Sequence, residues 1–529
     1  MWYVSRLIFG AIAALACILP AHAQKHGGIL TIPHIDTPPS PSIQEEGTAS
    51  VVIPFMAMYN NLVIFDQHIA QHKIETIRPE LATEWTWSAD GKTLTFALRD
   101  GVKWHDGKPF TSADVKCTWD MVSGLTPGKI RKSPRQAWFG NLAEISVNGD
   151  REVTFHLKRP QPSFIALLAS GWSPVYPCHV PSAQMRTKPV GTGPFRFVEY
   201  RLNESIQLER NPDYWKKGLP YLDGIEYSII PNRSTAILAF VAGKFDVTFP
   251  FEIPIPLVAD IKAQAPTAVC EIATSNASTN LLMNSSAAPF DNPAIRRAMA
   301  LVLDRKAFVD ILSQGQYDIG GAMLPPPEGI WGLPPEMLRT LPGYGPDVAR
   351  SRAEAVEIMR KLGYGPEKPL KVKISTRNIP LYRDPAVILI DQLKAAFIEG
   401  ELDVVDTAVW FAKIARKDFS IGLNVTGSGL DEPDQQFYEN YACGSQRNYT
   451  SYCNAEVDAL IERQSMEADQ AKRREIVWQI DRRLQEDGAR PIVYHGRSAT
   501  CWQPRVKNMT IMVNSVFNGW RFEDVWLEK

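Results

Sequence analysis

At 529 residues the chain is well past the roughly 250–300 residues at which a single hydrophobic core stops growing, so two or more domains are required. Apolar residues make up 45% and charged residues 22%, an ordinary globular balance. Lys and Arg (57) almost cancel Asp and Glu (58), so no basic excess argues for nucleic acid and no charge block argues for a disordered tail.

The chain opens on an export signal. Arg6 supplies a short positive region, Leu7 to Leu19 an apolar run, and Ala21-His22-Ala23 a small-residue cleavage site, so residues 1–23 are expected to leave and Gln24 to become the first residue. The alternative is lipoprotein processing at Cys17, but Ala14 stands where lipobox-like sequences carry Leu. No later apolar segment is long enough to span a bilayer.

Gly28 to Pro33 reads as a first strand, followed by a Pro- and Ser-rich crossing from Asp36 to Ser42. Between Pro79 and Asp120 the pattern is a β-meander running into a helix. Leu94, Phe96 and Leu98 alternate with Thr93, Thr95 and Ala97, the period of a strand with one buried face. Asp90-Gly91 and Asp106-Gly107 are turn dipeptides, and Thr111 stands three residues before Asp114 in a helix-capping pattern. Val153 to Leu157 alternates again. Asn292 and Asp304 cap two amphipathic helices, and Arg350 to Leu362 forms a third, stopped by Gly363. Lys371 to Ser375 is a strand and Pro385 to Phe397 a helix. Helices capped by Asn454 and Asp469 precede a last apolar strand, Pro491 to Tyr494. Such mixing of β and α in both halves points to α/β domains.

Chemistry-bearing motifs are scarce. Gly191-Thr192-Gly193-Pro194-Phe195 lacks the spacing of a dinucleotide loop, and Thr86 stands where a P-loop before Lys92-Thr93 needs glycine. Gly427-Ser428-Gly429 has the wrong spacing for a nucleophile elbow. His68 and His72 are four apart, but the segment His-Ile-Ala-Gln-His lacks the Glu of a zinc-protease helix, so no metal site is assigned. Without Cys17, six of seven cysteines remain, an even number suited to an oxidising compartment. Cys443 and Cys453 flank a short polar loop and pair most naturally. The other four allow three connectivities, of which sequence proximity favours Cys117 with Cys178, leaving Cys270 with Cys501.

The 79–120 stretch resembles the signature of the large solute-binding proteins that feed peptide-type ABC importers, the peptide/dipeptide/nickel-binding family (family 5). The matching residues are Leu81-Ala82, Trp85, Asp90-Gly91, Phe96, Leu98-Arg99, Gly101 to Gly107, Thr111 and Asp114-Val115. Further landmarks are Tyr59 to Val63, Gly191 to Phe195, Arg210 to Trp215, Gly243, Asp246-Val247, Arg297-Ala298 and Asp304-Arg305. The resemblance runs over essentially all of 27–529. It implies a two-lobed α/β periplasmic binding protein of type II, of the large, cluster-C-like kind, with an extra β-rich subdomain in the first lobe. On that pattern 24–57 opens the first lobe, 58–189 is the extra subdomain and 190–275 continues the first lobe. Residues 276–490 form the second lobe, and 491–529 return to the first.

The implied function is a periplasmic receptor, monomeric and without cofactor, that binds a solute and docks on an inner-membrane permease with its ATPase subunits. Short or modified peptides and carboxylate-bearing small molecules lead the candidate ligands, ahead of acylated metabolites, sugars or metal chelates. An exported hydrolase is the rival from another class. In the dipeptide-binding branch an Arg past a second-lobe strand holds the ligand carboxylate. Arg377 stands at that position, with Arg383 in reserve and Asn378 beside it, and Trp410 resembles a pocket aromatic with Phe411 next to it. The amine-holding acid is missing, because Gly429 stands where the branch has it. Asp431, Glu45 or Glu46 are the available substitutes, and Thr48, Thr426 and Ser428 complete the candidate set.

Overall fold

The computed structural model describes residues 24–126, 130–131 and 133–528; the export signal and Cys17 lie outside these residues. The chain builds three main sheets. A four-stranded sheet runs in the order Ile29–His34, Gly224–Ile229, Ser205–Arg210, Phe195–Arg201, the first pair parallel and the rest antiparallel. An antiparallel four-stranded meander runs Ala82–Trp87, Thr93–Leu98, Glu152–Leu157, Leu142–Asn148. The third sheet is mixed and five-stranded: Ile398–Val405, Leu370–Arg377, Ile421–Gly427, Val269–Met283, Ile492–Trp502.

The local signals act as their chemistry requires. Leu94, Phe96 and Leu98 are buried while Thr93, Thr95 and Ala97 are half-buried, which seats the meander on the helix Ser112–Val122. Thr111 and Asp114 form the reciprocal capping box of that helix. The Asn292 side chain accepts from the Ala294 N–H at the head of Pro293–Val302, and that of Asp304 from the Ala307 N–H at the head of Arg305–Ser313. The loop at Gly191 and Gly193 packs on the backbone of Met58, so close that a Cβ on either glycine would strike the Met58 carbonyl group. Its glycines serve backbone packing. The helix expected from Pro385 begins earlier, at Pro380, and runs to Leu393; Pro380 occupies the first turn, where a missing N–H costs nothing, and Pro385 is carried inside the helix. The last strand is also longer than its apolar run, extending from Ile492 to Trp502.

Those last residues make the architecture. Val269–Met283 and Ile492–Trp502 pair antiparallel in two runs, Val269 to Thr274 and Ser278 to Asn280, and pass together from one lobe to the other. Near Val269 and Trp502 the ribbon belongs to the first lobe, where the Thr248 N–H donates to the Cys501 carbonyl. Beyond an irregularity between Thr274 and Ser278 it belongs to the five-stranded sheet. A break in the ladder is where a two-stranded link bends most easily. All three expected disulfides are present, Cys117–Cys178, Cys270–Cys501 and Cys443–Cys453, and the second ties the two linking strands at their first-lobe end. Separate apolar cores underlie the lobes: one joins Leu30, Val52, Phe155 and Trp520, another Leu281, Met299, Ile374 and Leu423. No helix among the described residues is long and apolar enough to cross a membrane.

Candidate ligand-binding site

The lobes are closed on each other. Trp138 Nε1 donates to Glu439 Oε2 at 2.8 Å and Gln161 Nε2 to Asp434 Oδ2 at 2.7 Å, both across the interface. Behind these contacts, beside the linking ribbon, lies a cavity of about 110 Å³. Ile35, Thr48, Ser50, Phe249 and Phe251 come from the first lobe, Tyr317, Arg377, Phe411, Val425 and Arg447 from the second. Ser275, Ala277 and Gly496 of the ribbon form part of the wall, and Val516 and Phe517 return from the C-terminal segment. Among the described residues no histidine lines it, and no cluster of His, Cys, Asp and Glu is placed to hold a metal ion. A wider groove of about 710 Å³ opens at the rim of the interface, but Arg159 and Glu462 are ion-paired there, as befits an edge that opens and shuts.

Arg377 ends the strand Leu370–Arg377 and is buried. Its Nε and Nη2 donate to Thr407 Oγ1 at 3.0 and 2.8 Å, and Nη1 donates to the Tyr382 hydroxyl at 2.7 Å. The guanidinium lies 4.6 Å from the Tyr382 ring centre and 5.6 Å from that of Phe411. Its anion is Asp36 from the opposite lobe: Nη2 donates to Oδ2 at 2.6 Å. Burial pushes the Asp36 carboxyl upward, but Arg377, with help from His34, outweighs it and holds the group below the usual carboxylate range. So the guanidinium expected to meet a ligand carboxylate meets one from the protein itself, across the lobe boundary.

The other expected residues separate into wall and scaffold. Thr48 and Phe411 stand on the wall with Arg377. Asn378 and Arg383 are exposed, the latter 3.9 Å from Asp384. Trp410 packs in a small core with Leu282, Ile414 and Tyr449 and is absent from the cavity wall, whereas Phe411, packed against the edge of that core, reaches it. Thr426 also faces away from the cavity, because strand alternation gives the wall to Val425 and Gly427, and its hydroxyl accepts from Arg490 at 2.7 Å. Ser428 donates to the Leu430 carbonyl.

Gly429 has no room for an acid. A Cβ there would lie 2.9 Å from Ser170 Oγ and 3.3 Å from both Gln435 Oε1 and Trp172 Cδ1. Asp431 does not replace it: Oδ2 accepts from the Ile330 N–H at 2.8 Å, off the cavity wall, and burial raises the carboxyl to about 7. Glu46 accepts from Ser40 and Arg131, both at 2.6 Å, and Glu45 pairs with Arg186 at 2.9 Å. His72 stacks on Phe65 with centroids 4.7 Å apart and is driven down to about 3 by burial, while His68 pairs with Asp524 at 2.6 Å.

Sequence reasoning missed Asp36, Glu252, Tyr317, Arg447 and Arg497. Glu252 is paired to Arg233 at 2.8 Å and Arg497 to Asp318 at 2.7 Å and Glu328 at 2.9 Å, so these wall charges have partners within the protein. Arg447 carried a signal, since it lies in the short polar loop between Cys443 and Cys453 that the disulfide holds against the cavity.

Two lobes joined by a paired crossing, closed over a cavity with walls from both, define an extracytoplasmic solute-binding fold. The chain belongs to the bacterial extracellular solute-binding proteins, family 5, whose middle-region model matches residues 76–448. Oligopeptide-binding protein AppA of Bacillus subtilis is 26% identical over 431 residues, 77% of this chain and 76% of that protein. The fold is similar to that of the periplasmic binding protein DppA of Helicobacter pylori in complex with the peptide STSA, with a TM-score of 0.84, 21% identity, and 96% of this chain and 99% of that chain covered. It is also similar to AgaA of A. tumefaciens R10 in complex with agropinic acid, with a TM-score of 0.80, 23% identity, and 95% and 99% covered.

Proposed function

We propose that this protein is the exported receptor of an ABC importer, taking a small peptide-like or carboxylate-bearing solute into the cavity between its lobes and presenting the closed form to a membrane permease. The observation that carries the reading is the cavity itself, enclosed where the two linking strands cross and walled by both lobes. A ligand there has different contacts in the open and closed forms, and that difference is what drives closure. The cavity's small volume, about 110 Å³, supports the short end of the ligand range over a long peptide. Segments 24–57, 58–189, 190–275 and 497–529 would move as one lobe against 276–495, with Ser275–Ala277 and Gly496 as the bend. The return falls later than the expected 491 because Ile492, Tyr494 and His495 pair with Asn280, Thr279 and Ser278, and Val493 and Tyr494 join the second lobe's core. Removal of residues 1–23 would release the receptor into the periplasm.

The decisive experiment is thermal melting of the mature protein against dipeptides, tripeptides and small organic acids, followed by small-angle scattering of every hit. A ligand that binds only the native state raises the midpoint, by about 2.7 kcal/mol of stability at a hundredfold excess over Kd. The receptor reading requires a hit that also compacts the protein. A tight hit that leaves the scattering profile unchanged overturns closure, and recovery of the hit chemically cleaved overturns the receptor.

A further inference from the structure

The end of the cavity at Arg447 holds more buried positive charge than the protein neutralises. Arg447, Arg135 and Arg490 are all buried, at 6%, 1% and 2% exposure. Arg447 lines the cavity, donates through Nη1 to the Gly47 carbonyl at 2.9 Å, and has Glu439 Oε1 2.8 Å from its Nε. Arg135 donates to the neighbouring Glu46 carbonyl and sits over the Trp172 ring, 3.6 Å from its centre, with Nη2 buried and unpartnered. Arg490 is held only by neutral oxygens, those of Asn280, Asn440 and Thr426, at 2.7–2.8 Å. Glu439 is the carboxylate these guanidiniums share, and its Oε2 is taken up by Trp138. The two other acids nearby, Glu45 and Glu46, are already matched by Arg186 and Arg131. Three buried cations therefore face one buried carboxylate. Their mutual proximity is felt: burial, with Arg447 adding to it, lowers Arg135 to about 9 and Arg490 to about 10, and burial with Arg490 lowers Lys417 to about 8. Burial lowers Arg447 too, but Tyr449 and Glu439 outweigh it and hold that guanidinium above its ordinary value, so the uncompensated charge sits on the two cations behind it.

Buried charges are retained where they are paired, since an uncompensated ion in a low-dielectric interior is costly. The missing counter-charge has one place to stand, because Arg447 alone of the three reaches the cavity. We infer that the solute carries an anionic head group, a carboxylate or oxyanion, seated against Arg447 between Gly47 and Phe517, and that Arg135 and Arg490 strengthen this pole from behind without touching the ligand. This rests on the receptor reading and moves the negative pole of the ligand away from Arg377, whose counter-ion is Asp36.

The test uses the mature protein freed of any co-purified solute, with sodium succinate and sodium sulfate as probes and neutral succinamide as the control. Wild-type midpoints should rise saturably with succinate or sulfate and not with succinamide, and Arg447→Gln should weaken that response tenfold or more. Glu439→Gln, which removes the sole shared carboxylate and leaves Trp138 an acceptor, should strengthen it. Equal anion responses in wild type and Arg447→Gln overturn the inference, as does a weaker response in Glu439→Gln. If Arg447→Gln does not fold, the sign of the Glu439→Gln change decides alone. A neutral or cationic library hit that closes the lobes and binds Arg447→Gln unchanged would overturn the inference while leaving the receptor intact. A saturable, Arg447-dependent anion response without any compaction would do the reverse.

Discussion

Asp36→Ala separates closing from folding. In the closed form Asp36 and Arg377 meet at 2.6 Å with their side chains 10% and 4% exposed. Removing one member of a buried pair costs roughly 3–5 kcal/mol, because the survivor stays desolvated without a counter-charge. Arg377 keeps Thr407 and Tyr382, which favours the lower end of that range. When the lobes part, water reaches both groups and the cost disappears, so the penalty falls on the closed form alone. At about 1.4 kcal/mol per tenfold, 3 kcal/mol weakens a ligand that needs closure by about a hundredfold. The ligand-free melting midpoint should hardly move if the empty protein is open in solution. Calorimetric titration of a library hit gives the affinity, and scattering with and without it gives the compaction. Asp36→Asn, which keeps an acceptor for Nη2, should fall between wild type and Asp36→Ala. An Asp36→Ala protein that closes on its ligand as tightly as wild type, or more tightly, would refute the latch and return Arg377 to holding the ligand's carboxylate.

Gly429→Asp, which restores the acid of the dipeptide-binding branch, should lower stability by at least ~3 kcal/mol in urea melts and add no affinity for free-amine dipeptides, since the carboxyl would be forced among Ser170, Trp172 and Gln435. In the chain-entropy treatment of cross-links, Cys270→Ser/Cys501→Ser opens a loop of 231 residues and should cost about 5 kcal/mol, against under about 3 kcal/mol for Cys443→Ser/Cys453→Ser with its separation of 10; equal midpoints for the two double variants would contradict that ranking. Asp431 has its carboxyl raised to about 7 from 3.8 in the folded state, so its contribution is whole below the unfolded pKa and is lost as pH rises through 7. Asp431→Asn should accordingly be more stable than wild type at pH 8 by about 2–4 kcal/mol, with the gap closing toward pH 4. His495 has the opposite sign: burial lowers it to about 4 from 6.5, so wild-type stability should fall as pH drops between those values, by up to about 3 kcal/mol, and His495→Gln should flatten that slope.

The elements with local causes were legible in the sequence. The meander at Thr93–Leu98, the capped helices after Asn292 and Asp304 and the Cys443–Cys453 disulfide each follow from spacing, turn chemistry or cysteine arithmetic within a short window, whereas Cys117–Cys178 and Cys270–Cys501, 61 and 231 residues apart, were one choice among three connectivities. Two prolines five residues apart, Pro380 and Pro385, offer the same helix-start signal, and tertiary packing of Tyr382 and Ala386 selects the first. His495-Gly496-Arg497 breaks the apolar run, so the local pattern of the last strand ends at Tyr494. Those residues are strand because the partner Val269–Met283 demands it, which no local pattern records.

Site geometry was harder to read for the same reason, at a finer scale. Trp410 and Phe411 are neighbours, yet a helix turns adjacent residues about 100° apart, and only packing on Leu282 and Tyr449 shows which of them faces the cavity. Thr426 and Val425 pose the same choice on a strand, where one step changes the face. Arg377 was found by position, but its occupancy was not, because Asp36 lies 341 residues away and meets it only when the lobes close. Charge balance is similarly non-local. Arg135, Arg447 and Arg490 come from three distant segments, and nothing in any one of them reveals that they share a single carboxylate. A motif can therefore report that a clamp exists, whereas what the clamp holds is decided by sums over residues that only the closed fold brings together.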